Sequence, residues 1–246
     1  MALNILNIFK EYFTPEVISK ASTFVGENAG QTAKAADSIV AIVLAGLLNK
    51  AQDEDGLAIV SDIIAAHNGS ILNNVLNVFN GGEQTDSIIR SGAVALTNIF
   101  GQNKSIEIAT VVTDQSGVQI SGAGKLLNLL TPILLGIIGK QIANSESKAL
   151  AVLLLEQKNL ITNQPADVAN LLGVENLSEL GNNLAAFTGV SISSLTSTVT
   201  NTNANSSAQT AVEESTKKSD LLKWSITVGI IIIAIIAIIF GVRSCK

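Results

Sequence analysis

The chain has 246 residues, enough for one helical domain and an appendage, and it is 47% apolar but only 14% charged, against the roughly 25% usual in soluble domains. One Cys and one His exclude a disulfide scaffold and a thiolate–imidazole zinc site, and so apolar a composition excludes a disordered chain. The net charge of −5 is unevenly divided, with 10 basic against 17 acidic residues up to about residue 187 and 5 against 3 beyond it; with aromatics at 4%, neither phosphate backbones nor stacked bases find a partner, and no nucleic acid is expected.

The first residues, Met1 to Glu11, carry no basic start and no long apolar run, so no secretory signal is read there. Thr14-Pro15-Glu16 supplies a hydroxyl cap, a proline at the first helical position and an early acid, a helix-start phrase. Apolar residues then recur at spacings of three and four: Ile39, Ile42, Val43, Leu47; Leu57, Val60, Ile63, Ile64; Leu72, Val75, Leu76, Phe79; Leu150, Leu153, Leu154. Each set makes one apolar helix face, and no useful length alternates as a strand would. Gly30, Gly69, Gly81-Gly82, Gly101, Gly117, Gly173 and Gly189 fall where helices should stop. Asp53-Glu54-Asp55-Gly56 lacks the spacing and distal acid of a calcium loop and reads as a turn whose acids favour the next helix start. His67, before Asn68-Gly69, sits at an expected helix C-terminus, where a partly charged imidazole is favoured.

Two segments are apolar nearly all round, Ile39–Leu48 and Leu126–Ile138. At roughly 10 and 13 residues they read as central core helices, too short to span a bilayer comfortably. Ile42–Lys50 aligns with Pro132–Lys140, placing Gly46 on Gly136 and Lys50 on Lys140. A small residue–Gly–polar phrase recurs at Ala29–Thr32, Ser116–Gln119 and Thr188–Ser191, so a duplicated helical unit is expected. Ser121-Gly122-Ala123-Gly124-Lys125-Leu126 resembles a phosphate loop but lacks the distal Gly and the hydroxyl after Lys, and reads as a small-residue helix start. Asn163-Gln164-Pro165 is read as another helix start. No cofactor motif is complete and no acid–base pair is supported by spacing, so neither a cofactor nor an enzyme is expected.

From residue 188 to 219, Ser, Thr and Asn supply more than half the positions, a composition for a flexible tether of about 25–30 Å r.m.s. span. Trp224–Val242 then carries no charge, and nineteen residues at ~1.5 Å rise give ~28 Å, close to a ~30 Å hydrocarbon core. Trp224 and Lys223 mark one membrane interface and Arg243 the other. Three basic residues before the span (Lys217, Lys218, Lys223) against two after it (Arg243, Lys246) orient the domain toward the cytoplasm. Ala237 and Gly241 form a small-xxx-small step on which two such helices could meet. The expected organisation is a helical domain at 1–195, a linker at 196–220 and a transmembrane helix at 221–243.

Five phrases carry a family resemblance: Gly69-Ser70-Ile71-Leu72-Asn73-Asn74-Val75-Leu76, Gly81-Gly82, Asn98-Ile99-Phe100-Gly101, Ser116-Gly117-Val118, and Leu126 through Gly136. Together with Asn170-Leu171-Leu172-Gly173 and Leu184 through Ser191, they resemble the YidB-like bacterial family of unknown function over roughly residues 20–195. The resemblance implies an all-α, compact array of short helices and says nothing of activity. Some members place this domain before one membrane helix and an OmpA-like domain. Here no OmpA-like domain follows Arg243-Ser244-Cys245-Lys246, so cell-wall anchoring is not carried over. The expectation is a tail-anchored interaction or scaffold protein of the inner membrane, with a protein partner or its own copy and the lipid bilayer as contacts. The alternatives are a membrane-active protein whose apolar helices insert into lipid, and an enzyme with an unrecognised site.

Overall fold

The computed structural model describes residues 3–67, 69–143 and 147–190. By internal contact the chain divides into Met1–Asn201 and Thr202–Lys246. Trp224, Lys223, Arg243, Ala237 and Gly241, with the linker and the membrane span assigned from sequence, lie outside the described residues.

The described residues form eleven α-helices and two 3-10 segments, and no strand. Helix α1 (Ile5–Tyr12) begins at Asn4, whose side chain accepts from the Asn7 amide. Helix α2 (Pro15–Val25) starts as its sequence predicts: Thr14 caps it, Pro15 takes the first helical position and Glu16 the first turn. Helix α3 (Ala29–Lys50) is 22 residues long. Helix α4 (Glu54–Ala65) is capped by Asp53, whose carboxylate accepts from the Gly56 amide at 2.7 Å. A 3-10 segment, Ser70–Phe79, leads to α5 (Gly82–Phe100), α6 (Ser105–Ser116) and α7 (Ile120–Ile142), the last with 23 residues. Four shorter helices close the domain: α8 (Ser147–Glu156), α9 (Lys158–Thr162), α10 (Ala166–Leu172) and α11 (Asn182–Thr188).

The two apolar segments are indeed the centre, but each is the inner part of a much longer helix than its apolar run suggested. In α3, 14 of 22 residues are buried, and in α7, 14 of 23. Both helices are therefore long and apolar enough to cross a membrane by length and composition, so shortness is not what separates them from membrane spans. Burial is: 78% of each apolar window lies inside the protein. Neighbours sheathe them on every side, α3 by α2, α5 and α6, and α7 by α4, α5, α6 and the 3-10 segment. A helix apolar all round needs this covering in water.

The duplicated phrases meet in space. Gln31, in the first turn of α3, donates its amide to the Gly117 carbonyl at 2.9 Å, and the Gln119 amide before α7 donates to the Glu27 carboxylate at 2.8 Å. The two central helices thus start side by side, each tied to the loop that precedes the other. Gly46 and Gly136, aligned in the repeat, are both close-approach positions. A Cβ at Gly46 would lie 2.4 Å from the Phe100 ring, and one at Gly136 would lie 3.1 Å from the Gly69 Cα.

Three local readings are corrected. Gly30 does not stop a helix; it lies in the first turn of α3, and the stop is Gly26, left-handed at φ 78°. The Leu72–Phe79 pattern is not an α-helix. Asn74 leaves helical geometry (φ −153°, ψ 80°), so the segment runs as 3-10 turns that still bury Val75, Val78 and Phe79. Asn163-Gln164-Pro165 does precede a helix, α10, with Asp167 in its first turn, but not as a capping phrase: the Asn163 and Gln164 side chains bond back to the Asn159 and Leu160 carbonyls, closing α9, and Pro165 is the N-cap and not the first helical residue. Gly69, Gly101, Gly117, Gly173 and Gly189 all have positive φ at helix boundaries, as their positions predict.

A proline inside α7 shapes its packing. Pro132 has no N–H, so the Asn128 carbonyl one turn earlier has no helical donor. Helix α5 crosses at that point through Gly92, where an added Cβ would stand 1.8 Å from the Asn128 oxygen. One Cα hydrogen of Gly92 therefore faces a carbonyl that the helix cannot satisfy, a Cα–H···O contact in place of the missing hydrogen bond.

Candidate functional site

The sequence-level candidates resolve first. Ser121–Leu126 lies in the opening turns of α7, and no strand precedes it. The anion at that helix start is the protein's own Glu27, which takes the Gln119 amide and against whose carboxylate a Gly122 Cβ would press at 2.8 Å. A carboxylate where a phosphate would have to sit fits the helix dipole and disfavours a second anion. Asp53 is committed to capping α4. No group of three or more His, Cys, Asp or Glu able to hold a metal occurs among the described residues.

His67 is placed where the sequence predicts, at the end of α4, and its surroundings go beyond that prediction. Its Nδ1 lies 2.8 Å from the Ile63 carbonyl, and since a carbonyl can only accept, Nδ1 carries the proton. Nε2 lies 3.1 Å from the Ser91 hydroxyl of α5, which can either donate or accept. The imidazole closes the last turn of α4 and pins it to α5.

His67 also lines two clefts. The larger, about 630 Å³, lies between the end of α1, the end of α4, the first 3-10 turn and the end of α7. Ile64 and Leu72 give it apolar walls; Tyr12, His67, Asn73 and Lys140 bring polar groups to it. The smaller, about 220 Å³, is lined by His67, Ser87, Ser91 and Pro132 among others. Among the described residues no acidic side chain lines either cleft.

Lys140 and Tyr12 are the chemical pair of the larger cleft. The Lys140 ammonium donates to the Tyr12 hydroxyl at 3.0 Å and stands 5.7 Å from the ring centroid. That hydrogen bond, and the favourable charge interaction beside it, hold the lysine above its ordinary pKa despite some desolvation. Sequence singled out Lys140 only as the repeat partner of Lys50. Tyr12 had no signal at all, because the two residues are 128 positions apart and only the packing of α1 on α7 joins them. A third cleft, about 530 Å³, runs between α4, α8 and α11, with Leu57, Leu150 and Phe187 beside Glu54 and Asp62.

Among the described residues the protein is an all-α domain built on two sheathed apolar helices, with clefts between its outer elements. Residues 7–141 match the family described as bacterial protein of unknown function (DUF937), and the chain belongs to that family. This agrees with the YidB-like resemblance read from the sequence. No curated protein matches the chain, and no solved structure does.

Proposed function

We propose that the chain is a membrane-tethered, non-catalytic interaction module of the bacterial envelope, a helical domain held at the cytoplasmic face of the inner membrane by Trp224–Val242. The observation that carries this reading is the sheathing of α3 and α7: the domain satisfies its own apolar helices internally, so the uncharged C-terminal segment is the one left to seek lipid. The alternative, in which α3 and α7 insert into lipid, would have to expose the 28 residues they bury together (14 + 14), which disfavours it. An enzyme is disfavoured because the single imidazole is oriented by a carbonyl and, among the described residues, no carboxylate lines its clefts.

Surface for a partner is available. Val94, Ile106 and Phe187 are 61%, 73% and 44% exposed on a domain that is otherwise acidic on balance. Lysine-directed cross-linking of the full chain in native membranes is expected to yield a discrete species of fixed stoichiometry, either with itself or with one partner. A chain that cross-links to nothing and remains monomeric contradicts the reading.

A further inference from the structure

We infer that the larger cleft, between Tyr12 and Lys140, is a binding site for a small monocarboxylate with an apolar body. The inference stands on the cleft alone and does not depend on the membrane tether. Its volume, about 630 Å³, falls in the usual range of ~300–1,000 Å³ for small-ligand sites.

Charge selects the ligand's sign. The domain up to residue 187 carries 10 basic and 17 acidic residues, yet among the described residues this cleft is lined by a lysine and no carboxylate. Among the described residues the ion pairs are Lys10–Asp37 and Lys104–Glu107, and Lys140 has only a neutral hydroxyl as partner. Its ammonium has three protons, of which Tyr12 takes one, so two remain for an incoming oxygen. The Tyr12 hydroxyl accepts from Lys140 and so keeps its own proton to donate outward.

Charge magnitude and shape select the class. One ammonium, one phenol and the Asn73 amide suit a single negative charge; both nitrogens of His67 are already engaged, by the Ile63 carbonyl and the Ser91 hydroxyl. Ile64 and Leu72 offer an apolar wall next to these donors, which suits an aryl or short alkyl body. A phosphate dianion would leave that wall unused and one of its charges unmatched.

The chain supplies its own reporters: Tyr12 is its only tyrosine and His67 its only histidine, and both line the cleft. The full chain in nanodiscs, with 13C-labelled Tyr and His, is titrated with sodium benzoate, benzyl alcohol and inorganic phosphate. Benzoate is expected to move both ring signals along one isotherm, with a Kd on the order of 1 mM, a modest efficiency for nine heavy atoms. Lys140→Gln is expected to weaken binding about tenfold and Lys140→Arg to retain most of it, since the loss is that of a charge-assisted hydrogen bond. Lys140 is exposed, so neither substitution disturbs the fold. Unmoved signals, equal shifts with benzyl alcohol, equal shifts with phosphate, or benzoate binding that survives Lys140→Gln would each overturn the assignment.

Discussion

Gly92→Val is expected to unfold the domain or lower its melting temperature by roughly 6–12 °C, the shift for about 3 kcal/mol in a domain of this size. The reason is specific to the α5–α7 crossing. A Cβ at residue 92 would sit 1.8 Å from the Asn128 oxygen and 2.7 Å from its carbon, both backbone atoms. A side chain could swing away, but backbone in the middle of a buried helix cannot. The neighbours are Leu127 and Leu129, fully or almost fully buried, so relieving the clash means moving the core. Gly124→Ala is the matched control: this glycine is also helical but has nothing within 4 Å of its added Cβ, and the change is expected to stabilise by about 0.5–1 kcal/mol. Thermal unfolding by far-UV circular dichroism measures both. A Gly92→Val protein as stable as the parent would mean that α5 does not cross α7 at this point.

Gln157→Leu is expected to cost roughly 2–4 kcal/mol through loss of polar satisfaction. Gln157 is 2% exposed and makes three bonds to backbone. Its Oε1 accepts from the Ile5 amide at 3.0 Å, and its Nε2 donates to the Leu3 and Leu153 carbonyls at 2.7 and 2.9 Å. The Ile5 amide is one of the donors that a helix start leaves without a partner, so this glutamine caps α1 from 152 residues away. Leucine fills the space and satisfies none of the three. Gln157→Glu separates volume from hydrogen bonding. At neutral pH its carboxylate keeps the Ile5 bond but faces two carbonyls with no proton to give. Its stability deficit should therefore shrink as pH falls, because the protonated acid regains a donor. Urea unfolding of the two variants at neutral and acid pH tests this; an equal deficit at both for Gln157→Glu would remove the hydrogen-bond account.

These two positions also show what the sequence exposes and what it hides. Local chemistry was legible: Thr14-Pro15-Glu16 opens α2, Asp53 caps α4, His67 ends it, and the aligned glycines 46 and 136 are both close contacts. Each works within a few residues or through a repeat that can be read by alignment. Helix length was not legible, because Ala29 to Ser38 and Ile120 to Lys125 contribute small and polar residues to helices whose apolar runs are shorter than the elements themselves. The 3-10 path of Ser70–Phe79 was hidden for a different reason. Apolar spacing of three and four suits either helix type when only one face is buried, and the deviation at Asn74 leaves no mark on that spacing.

The candidate site was the least legible part. Tyr12, Lys140 and Asn73 belong to three separate elements, and none carries a motif. Their meeting depends on α1 lying against α7, which Phe9 and Phe13 help to fix: their rings are 5.3 Å apart, and Phe13 contacts Phe79 of the 3-10 segment at 6.3 Å. An acidic total charge gave no hint of a cleft whose described lining carries a lysine and no acid, because charge counts carry no information about position.

The central claim, a self-contained helical domain fastened by Trp224–Val242, is tested most directly by alkaline carbonate extraction of membranes carrying the full chain. The account predicts that it stays in the pellet, as an integral membrane protein does, and is released by detergent. Recovery in the carbonate supernatant would contradict it.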